Sequence, residues 1–183
     1  MIIVSGPSGA GKGTLIRRMH DQFPFLRTAV SATTRPMRLG EQNGREYHFL
    51  TDEEFLRHVG EGDFLEHVIY AGNRYGTLRQ EVEGHLRQGD SVILEIELRG
   101  ARALRAALPD AVTIFIEPPS MDELIRRLRA RDTEAEADIQ ARLAESLVEL
   151  DARQEFNYQV RNDDLDTATA EMARIVDAVT RSV

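Results

Sequence analysis

The chain has 183 residues, of which 42% are hydrophobic and 30% are charged, as expected for one globular domain with a full hydrophobic core. It contains no cysteine and no apolar run near the ~20 residues that span a bilayer, which excludes disulfide bonds, thiolate metal sites and a transmembrane helix. The net charge of −8 argues against broad binding to nucleic acid, and because Met1 leads directly into the first predicted strand, we expect a cytoplasmic protein without a signal peptide.

A glycine-rich segment follows this first strand. The strand is the β-branched run from Ile2 to Val4, and the segment from Gly6 to Lys12 matches the pattern G-x-x-x-x-G-K ahead of a predicted helix. Such loops bind phosphate because glycines let consecutive backbone N–H groups face one anion, while the helix N-terminus and the lysine add positive charge. A glycine-rich turn without a ligand is the alternative. The predicted phosphate-binding positions are Gly6, Pro7, Ser8, Gly9, Ala10, Gly11, Lys12, Gly13 and Thr14.

One position departs from the usual pattern of this loop. Gly13 stands where a serine or threonine normally ligates magnesium, and Thr14 follows one place later. The motif therefore does not predict a direct hydroxyl ligand for a metal ion.

Short strands and helices alternate in the N-terminal half. Thr51 and Glu54 form a capping box, Thr77 with Gln80 repeats that signature, and Asn43-Gly44 predicts a hairpin turn. The predicted elements are a helix at 12–22, an extended segment at 26–34, a loop at 35–40, a strand at 47–50, a helix from 51 to about 60–62, a strand at 64–70, a turn at 71–76 and a helix ending at 89. We expect residues 35–88 to form a small lobe inserted into a larger fold.

Apolar strands and helices continue to alternate in the C-terminal half. The predicted elements are a strand at 91–97, a helix at 100–108, a strand at 112–116, a helix capped by Ser120, an acidic break at 132–138, a helix marked by Ile139 to Leu150, a strand at 158–160 and a helix at 168–179. This order predicts an α/β fold with a doubly wound parallel sheet. A single domain would have its core at 1–34 and 89–183.

Two acids close the predicted strand at 91–97. Glu95 and Glu97 lie two residues apart, on one strand face, at the end of the sheet where ligands of open α/β folds bind. Carboxylates there favour magnesium, bound directly or through its waters, or hydrogen-bond acceptance from a base. Glu95 is the candidate metal residue, acting through water. A surface ion pair with Arg99 or Arg102 is the alternative.

Hydrogen-bond donors are concentrated on the N-terminal side of the predicted lobe. Arg35, Arg38 and Tyr47 form a compact set of donors without nearby acids, close to the hydroxyls of Ser31 and Thr33. Two guanidinium groups and a phenol suit a doubly charged phosphomonoester, because arginine binds phosphate oxygens bidentately. Solvated loop arginines are the alternative.

Several motifs, in their order and spacing, resemble the guanylate kinase family. They are GPSGAGK at 6–12, VSATTRPMRLGEQNGREYHF at 30–49, FLEH at 64–67, YGT at 75–77, LEIELRG at 94–100 and NDDL at 162–165. The resemblance covers essentially the whole chain. It implies a P-loop core, an α+β lobe that binds GMP, a helical lid at about 126–145, and an ATP:GMP phosphotransferase that uses Mg²⁺ with ATP.

The resemblance also implies roles for individual residues. The GMP-contacting positions are Ser31, Arg35, Arg38, Tyr47, Glu66, Tyr75, Thr77 and Glu97. The catalytic positions are Lys12, Arg35 and the lid arginines Arg131 and Arg142. For Glu66 the chemistry agrees, since guanine presents N1–H and N2–H donors to a carboxylate and adenine lacks both. Glu97 stands where many family members have aspartate.

Two other functions are compatible with the same motifs. A kinase for another nucleoside monophosphate would share the same P-loop, and a guanylate-kinase-like module without catalysis would bind phosphopeptides. Arg131 and Arg142 could also be ordinary solvated helix arginines. We expect ATP and GMP as partners, neither nucleic acid nor a membrane, and a monomer or small homo-oligomer.

Overall fold

Nine strands and seven α-helices make up the described part of the protein, a computed structural model that describes residues 1–70, 72–129 and 136–181. The strands are β1 Ile2–Ser5, β2 Leu26–Thr28, β3 Ala32–Thr33, β4 His48–Phe49, β5 Phe64–Tyr70, β6 Asn73–Leu78, β7 Ser91–Glu95, β8 Val112–Glu117 and β9 Tyr158–Arg161. The helices are α1 Lys12–Gln22, α2 Asp52–Glu61, α3 Arg79–Arg87, α4 Leu98–Ala107, α5 Met121–Arg129, α6 Glu136–Asp151 and α7 Leu165–Thr180.

The larger sheet is parallel and has β1 at its centre. Its strand order is β2-β7-β1-β8-β9, and Val4 of β1 is in register with Glu95 of β7 and Ile114 of β8. The order of the strands confirms the predicted doubly wound α/β fold.

Helices cover both faces of this sheet, which explains why its strands are apolar on both sides. One buried cluster joins Ile2 and Val4 to Leu15 of α1 and Met172 of α7. The other joins Ile3 to side chains of α3 and α4, among them Leu104. The sheet is therefore fixed from both sides, and its C-terminal edge is a rigid platform for the loops that follow β1 and β7.

The second sheet has the strand order β4-β3-β6-β5. Helix α2 packs on it through Phe55, whose ring stacks on Phe64 of β5 with centroids 4.5 Å apart. The capping box is confirmed, because Thr51 and Glu54 exchange hydrogen bonds of 3.2 and 2.8 Å between side chain and backbone. Gly62 ends α2 with a φ of 76°.

The segment at 26–34 contains two strands, as its extended prediction requires, and these strands belong to different sheets. Two expectations for this region were wrong. Asn43-Gly44 makes a turn, with Gly44 at a φ of 79°, but no hairpin follows because β4 pairs in parallel with β3. Most of the predicted turn at 71–76 is strand β6, so that Thr77 lies within a strand and does not cap α3.

The ends of the inserted lobe follow from these contacts. Ala32 and Thr33 belong to the second sheet, whereas Val82 of α3 packs into the core of the first. We therefore propose that the lobe spans about 32–78 instead of 35–88. None of the helices within the described ranges is long and apolar enough to cross a membrane.

The end of β7 and the start of α5 determine where two predicted residues lie. Strand β7 ends at Glu95, not at residue 97, and Glu97 immediately precedes α4. Ser120 caps α5, as predicted, by accepting a hydrogen bond of 3.1 Å from the backbone of Glu123. Of the predicted lid, residues 130–135 lie outside the described residues, and with them Arg131 and most of the acidic break.

We expect Thr51→Ala to lower the free energy of unfolding by about 1 kcal/mol, because it leaves a backbone N–H at the start of α2 without its partner. Urea unfolding measures this change. Thr51→Ser keeps the hydroxyl and should stay close to the wild type. Equal stability of the alanine and serine variants would contradict the role of the cap.

Candidate active site

The glycine-rich loop lies directly on the edge of the larger sheet. Gly6 has a φ of 138°, and a Cβ atom there would lie 2.3 Å from the carbonyl oxygen of Ile116 in β8. Only glycine allows this approach. Gly11, at a φ of 94°, precedes α1, so the N-terminus of that helix opens towards the loop. The unpaired N–H groups of a helix N-terminus favour an anion at this place.

Lys12 is folded into the loop. Its Nζ donates to the carbonyl oxygens of Gly6 at 2.6 Å and Pro7 at 3.2 Å, and it lies 3.9 Å from Glu95. The side chain is buried. An ammonium group held by carbonyl oxygens is placed to exchange them for phosphate oxygens.

Two residues that support the loop were not identified from the sequence. Asn162, which follows β9, donates from Nδ2 to the carbonyl oxygen of Ala10 at 2.8 Å. Arg127 of α5 donates to the carbonyl oxygen of Gly9 at 3.4 Å. The signal for Asn162 was its position after a parallel strand, where such folds collect functional side chains.

A group of arginine and aromatic side chains faces the loop. Arg35 lies 5.5 Å from the ring centroid of Tyr47 and 5.6 Å from that of Phe49. Burial and the charge of Glu95 raise the pKa of Tyr47, which keeps its phenol a proton donor. The two rings pack near the guanidinium group, a position in which aromatic rings attract a cation.

The expectation that no acid lies near these arginines was wrong. Glu41 accepts a hydrogen bond of 2.7 Å from Nη2 of Arg35 and another of 2.7 Å from the backbone N–H of Arg38. Burial alone would raise the pKa of Glu41, but these two hydrogen bonds outweigh it and lower the pKa. Arg35 is thus held in place by a carboxylate.

A third group of polar side chains lies deeper, between the two sheets. Glu66 of β5 is buried, and its Oε1 accepts a hydrogen bond of 2.7 Å from Thr77 of β6. Its Oε2 has no partner among the described residues. Burial is the main cause that raises the pKa of Glu66. A small cavity of ≈ 30 Å³ adjoins Glu66 and is lined also by Ser31, Tyr75 and Glu97. A buried acceptor without a donor suits a ligand that brings N–H groups.

The predicted metal residue lies at the mouth of the site. Glu95 exposes 43% of its side chain, and a Cβ atom at Gly13 would lie 3.3 Å from its Oε2. The carboxylate therefore comes close to where the side chain of a serine at position 13 would begin. Its oxygens are hard ligands of the kind that hold magnesium through water, so the residues present fit this ion.

One cavity of ≈ 400 Å³ is lined both by the P-loop and by the group of arginine and aromatic side chains. Its lining includes Ser8, Gly9, Gly11, Lys12, Gly13, Thr14, Arg35, Arg38, Tyr47, Tyr75, Glu95 and Glu97. Among the predicted residues, Ser31 and Glu66 line the adjoining small cavity, and Thr77 reaches it through Glu66. Arg131 lies outside the described residues, and the side chain of Arg142 is likewise not described. Predicted phosphate-binding residues of the P-loop and of the lobe thus line one cavity.

This arrangement defines a class of protein. A parallel sheet with a P-loop after its first strand, and a second anion-binding group on an inserted lobe, is the architecture of P-loop nucleotide kinases. A sequence profile described as guanylate kinase matches residues 1–179.

Curated relatives agree with the family profile. A guanylate kinase of Rubrobacter xylanophilus is 54% identical over 176 residues, 96% of this chain and 92% of the relative. A guanylate kinase of Synechocystis is 48% identical over 96% of this chain and 92% of its own length. The crystal structure of guanylate kinase from Anaplasma phagocytophilum superimposes with a TM-score of 0.78 at 31% identity, covering 97% of this chain and 84% of that one. The chain belongs to the guanylate kinase family, whose members are ATP:GMP phosphotransferases.

We expect Gly11→Ala to lower the thermal midpoint and weaken ATP binding, because the new Cβ would lie 2.3 Å from Nδ2 of Asn162 at a left-handed φ that costs roughly 1–3 kcal/mol. Differential scanning fluorimetry with and without ATP measures both effects. Gly84→Ala makes the same change in α3, where nothing lies within 4 Å of the new atom, and should not destabilise the protein. The idea fails if both variants behave alike.

Proposed function

We propose that this chain transfers the terminal phosphoryl group of ATP to GMP, giving ADP and GDP. The observation that carries the proposal is that one cavity is lined both by the P-loop and by the side chains of Arg35, Arg38, Tyr47 and Tyr75. Two anion-binding groups facing one space are suited to holding a donor and an acceptor in line. Phosphoryl transfer needs mainly such alignment and neutralisation of charge.

The P-loop would hold the phosphates of ATP. Its backbone N–H groups and the N-terminus of α1 bind the oxygens, and Lys12 exchanges its carbonyl partners for them. We propose that Mg²⁺ accompanies ATP, with Glu95 accepting hydrogen bonds from water bound to the metal. When bound, the ion supplies positive charge that neutralises the phosphates.

The lobe would hold GMP. Arg35 and Arg38 would bind the phosphate together with the phenols of Tyr47 and Tyr75, and Glu41 keeps Arg35 oriented for this task. The unpartnered Oε2 of Glu66 would accept from N1–H or N2–H of guanine, with Ser31, Thr77 and Glu97 around the base. Adenine offers neither donor on that edge, so Glu66 would select guanine.

The catalytic step would need no covalent intermediate, because an oxygen of the GMP phosphate is already an anionic nucleophile. Lys12 and Arg35 would neutralise charge on the transferring group from the core and the lobe. For Arg131 and Arg142 we propose the same task from a lid at about 126–145, as the family resemblance implies. Such a lid would also exclude water and so prevent hydrolysis of ATP.

The binding partners, location and oligomeric state of the protein follow from less direct observations. The net charge of −8 supports the expectation that nucleic acid is not a partner. A cytoplasmic location, the absence of a membrane partner, and a monomeric or small homo-oligomeric state stay predictions.

Substrate selection by Glu66 can be tested directly. We expect Glu66→Gln to lower kcat/KM for GMP by about 10- to 100-fold. The reason is that guanine loses its hydrogen bond to a buried, charged carboxylate, whose other oxygen is bound by Thr77. A coupled assay of ADP release compares GMP, AMP, CMP and UMP. Glu83→Gln, which changes an exposed acid on α3, is the control. A wild-type preference for AMP would defeat the assignment.

The same carboxylate predicts a pH dependence. Burial raises the pKa of Glu66, so the acid form gains population sooner than for an exposed glutamate as the pH falls. The protonated form accepts hydrogen bonds poorly, and we therefore expect KM for GMP to rise on acidification while KM for ATP rises less. Parallel rises of both values would argue against this role.

Lys12 can be modified selectively because it is the only lysine in the sequence. We expect an amine-specific acylating reagent to abolish activity, because it finds no second lysine side chain in this sequence, and we expect ATP to protect Lys12 by occupying its ammonium group. Lys12→Met should lower kcat by about 10²- to 10³-fold, the usual cost of losing one donor to the transition state. Full activity of the acylated protein would exclude a role for the ammonium group.

A further inference from the structure

A buried acid that the proposed reaction does not use lies beside the site. Glu149 of α6 is only 2% exposed. It lines a second cavity of ≈ 290 Å³ together with Glu97, the acid that precedes α4. That cavity lies between α4 and α6, and it also contacts Tyr70, Leu98, Arg99, Arg102, Ala144, Glu145 and Val148. Glu97 therefore faces the base pocket on one side and Glu149 on the other.

One oxygen of each acid lacks the hydrogen-bond donor that a negative charge needs. Oε2 of Glu97 and Oε2 of Glu149 are both buried, and no described residue donates to either atom. The two side chains are within hydrogen-bonding reach of each other. Two adjacent negative charges, each with a buried oxygen that has no donor, would be costly, whereas one shared proton provides a donor between them.

We propose that Glu149 is a positioning residue, a neutral acid that donates a hydrogen bond to Glu97 and fixes the carboxylate that faces the base of GMP. This inference rests on the proposed function and deepens it by adding a residue to the GMP site. Glu149 itself lines neither the large cavity nor the small one beside Glu66. It acts through Glu97 alone.

The electrostatic surroundings agree with a neutral Glu149. Burial is the largest effect, the charge of Glu97 adds to it, and together they raise the pKa of Glu149 to about 9 despite the opposing charge of Lys12. Among the described residues, ionisable groups face the pair from two sides. Lys12, Tyr70, Arg99, Arg102 and Glu145 lie on the side of Glu149. Tyr47, Glu66, Tyr75 and Glu95 line the small cavity with Glu97. Arg99 is near Glu145 at 4.0 Å, and Arg102 pairs with Glu155, so their charges are partly used elsewhere.

The bridge also connects two parts of the molecule. Glu97 belongs to the segment between β7 and α4, whereas Glu149 lies near the C-terminal end of α6, the helix whose first residues belong to the proposed lid. The proton shared by these side chains would hold that end of α6 against the base pocket.

Three variants separate the role of the donor from that of bulk. Glu149→Gln keeps a donor in nearly the same shape, Glu149→Met keeps the length without a donor, and Glu145→Gln changes an acid one turn earlier on the same helix. We expect the methionine variant to raise KM for GMP about tenfold, the usual weight of a hydrogen bond to a charged group. Its kcat and KM for ATP should change less than about twofold, a difference within the scatter of surface substitutions. The other two variants should stay close to the wild type.

The kinetic outcomes are decisive in either direction. A wild-type KM in Glu149→Met, an equal rise in Glu149→Gln, or an equal rise in Glu145→Gln would each overturn the proposal. A general loss of activity in the methionine variant with a lowered melting temperature would also overturn the positioning role, because a purely structural residue behaves in this way.

Infrared spectroscopy tests the pair without any nucleotide. At about pH 8, where ordinary carboxyl groups are ionised, the wild type should show the C=O stretch of a neutral carboxylic acid that disappears in Glu149→Gln. A wild type that phosphorylates GMP but lacks this band would refute the inference alone. A band without phosphorylation of GMP would refute the proposed function and leave the acid pair established.

Discussion

The close approach of Gly6 to β8 is the constraint on which the site depends. No side chain fits between Gly6 and the carbonyl oxygen of Ile116, so the loop rests on the sheet with backbone against backbone. Asn162 holds the other side of the loop through the carbonyl oxygen of Ala10. Because helices pack on both faces of the sheet, the backbone on which the loop rests is held in place. The N–H groups of the loop are thereby fixed relative to the larger sheet.

Within the described part of the site, cations are already satisfied by oxygen atoms of the protein. Lys12 is bound by two carbonyl groups, and Arg35 is bound by the carboxylate of Glu41 and the carbonyl oxygen of Pro36. A phosphate that enters therefore replaces partners instead of meeting bare charges. When one hydrogen bond replaces another, the net gain in binding free energy is small. Selectivity therefore comes from the geometry of the donors more than from their total charge. A protein with a net charge of −8 can in this way still receive highly charged substrates.

The sequence predicted those features that depend on neighbouring residues. The P-loop, the capping box at Thr51 and the end of α2 at Gly62 follow from local patterns, and so does the parallel sheet, since its apolar strands alternate with helices. The pairing of β4 could not be predicted, because a turn such as Asn43-Gly44 does not specify which strand its successor will join. The same limit applies to Glu149, whose partner Glu97 is brought to it by packing between distant segments.

The support of the P-loop by Asn162 has a consequence for the order of folding. The two bonded residues are 152 positions apart, and among the described strands β9, which precedes Asn162, pairs with β8 alone. During synthesis the loop leaves the ribosome long before Asn162. In an unfinished chain, the carbonyl oxygen of Ala10 therefore lacks this donor until the final strand of the sheet has docked.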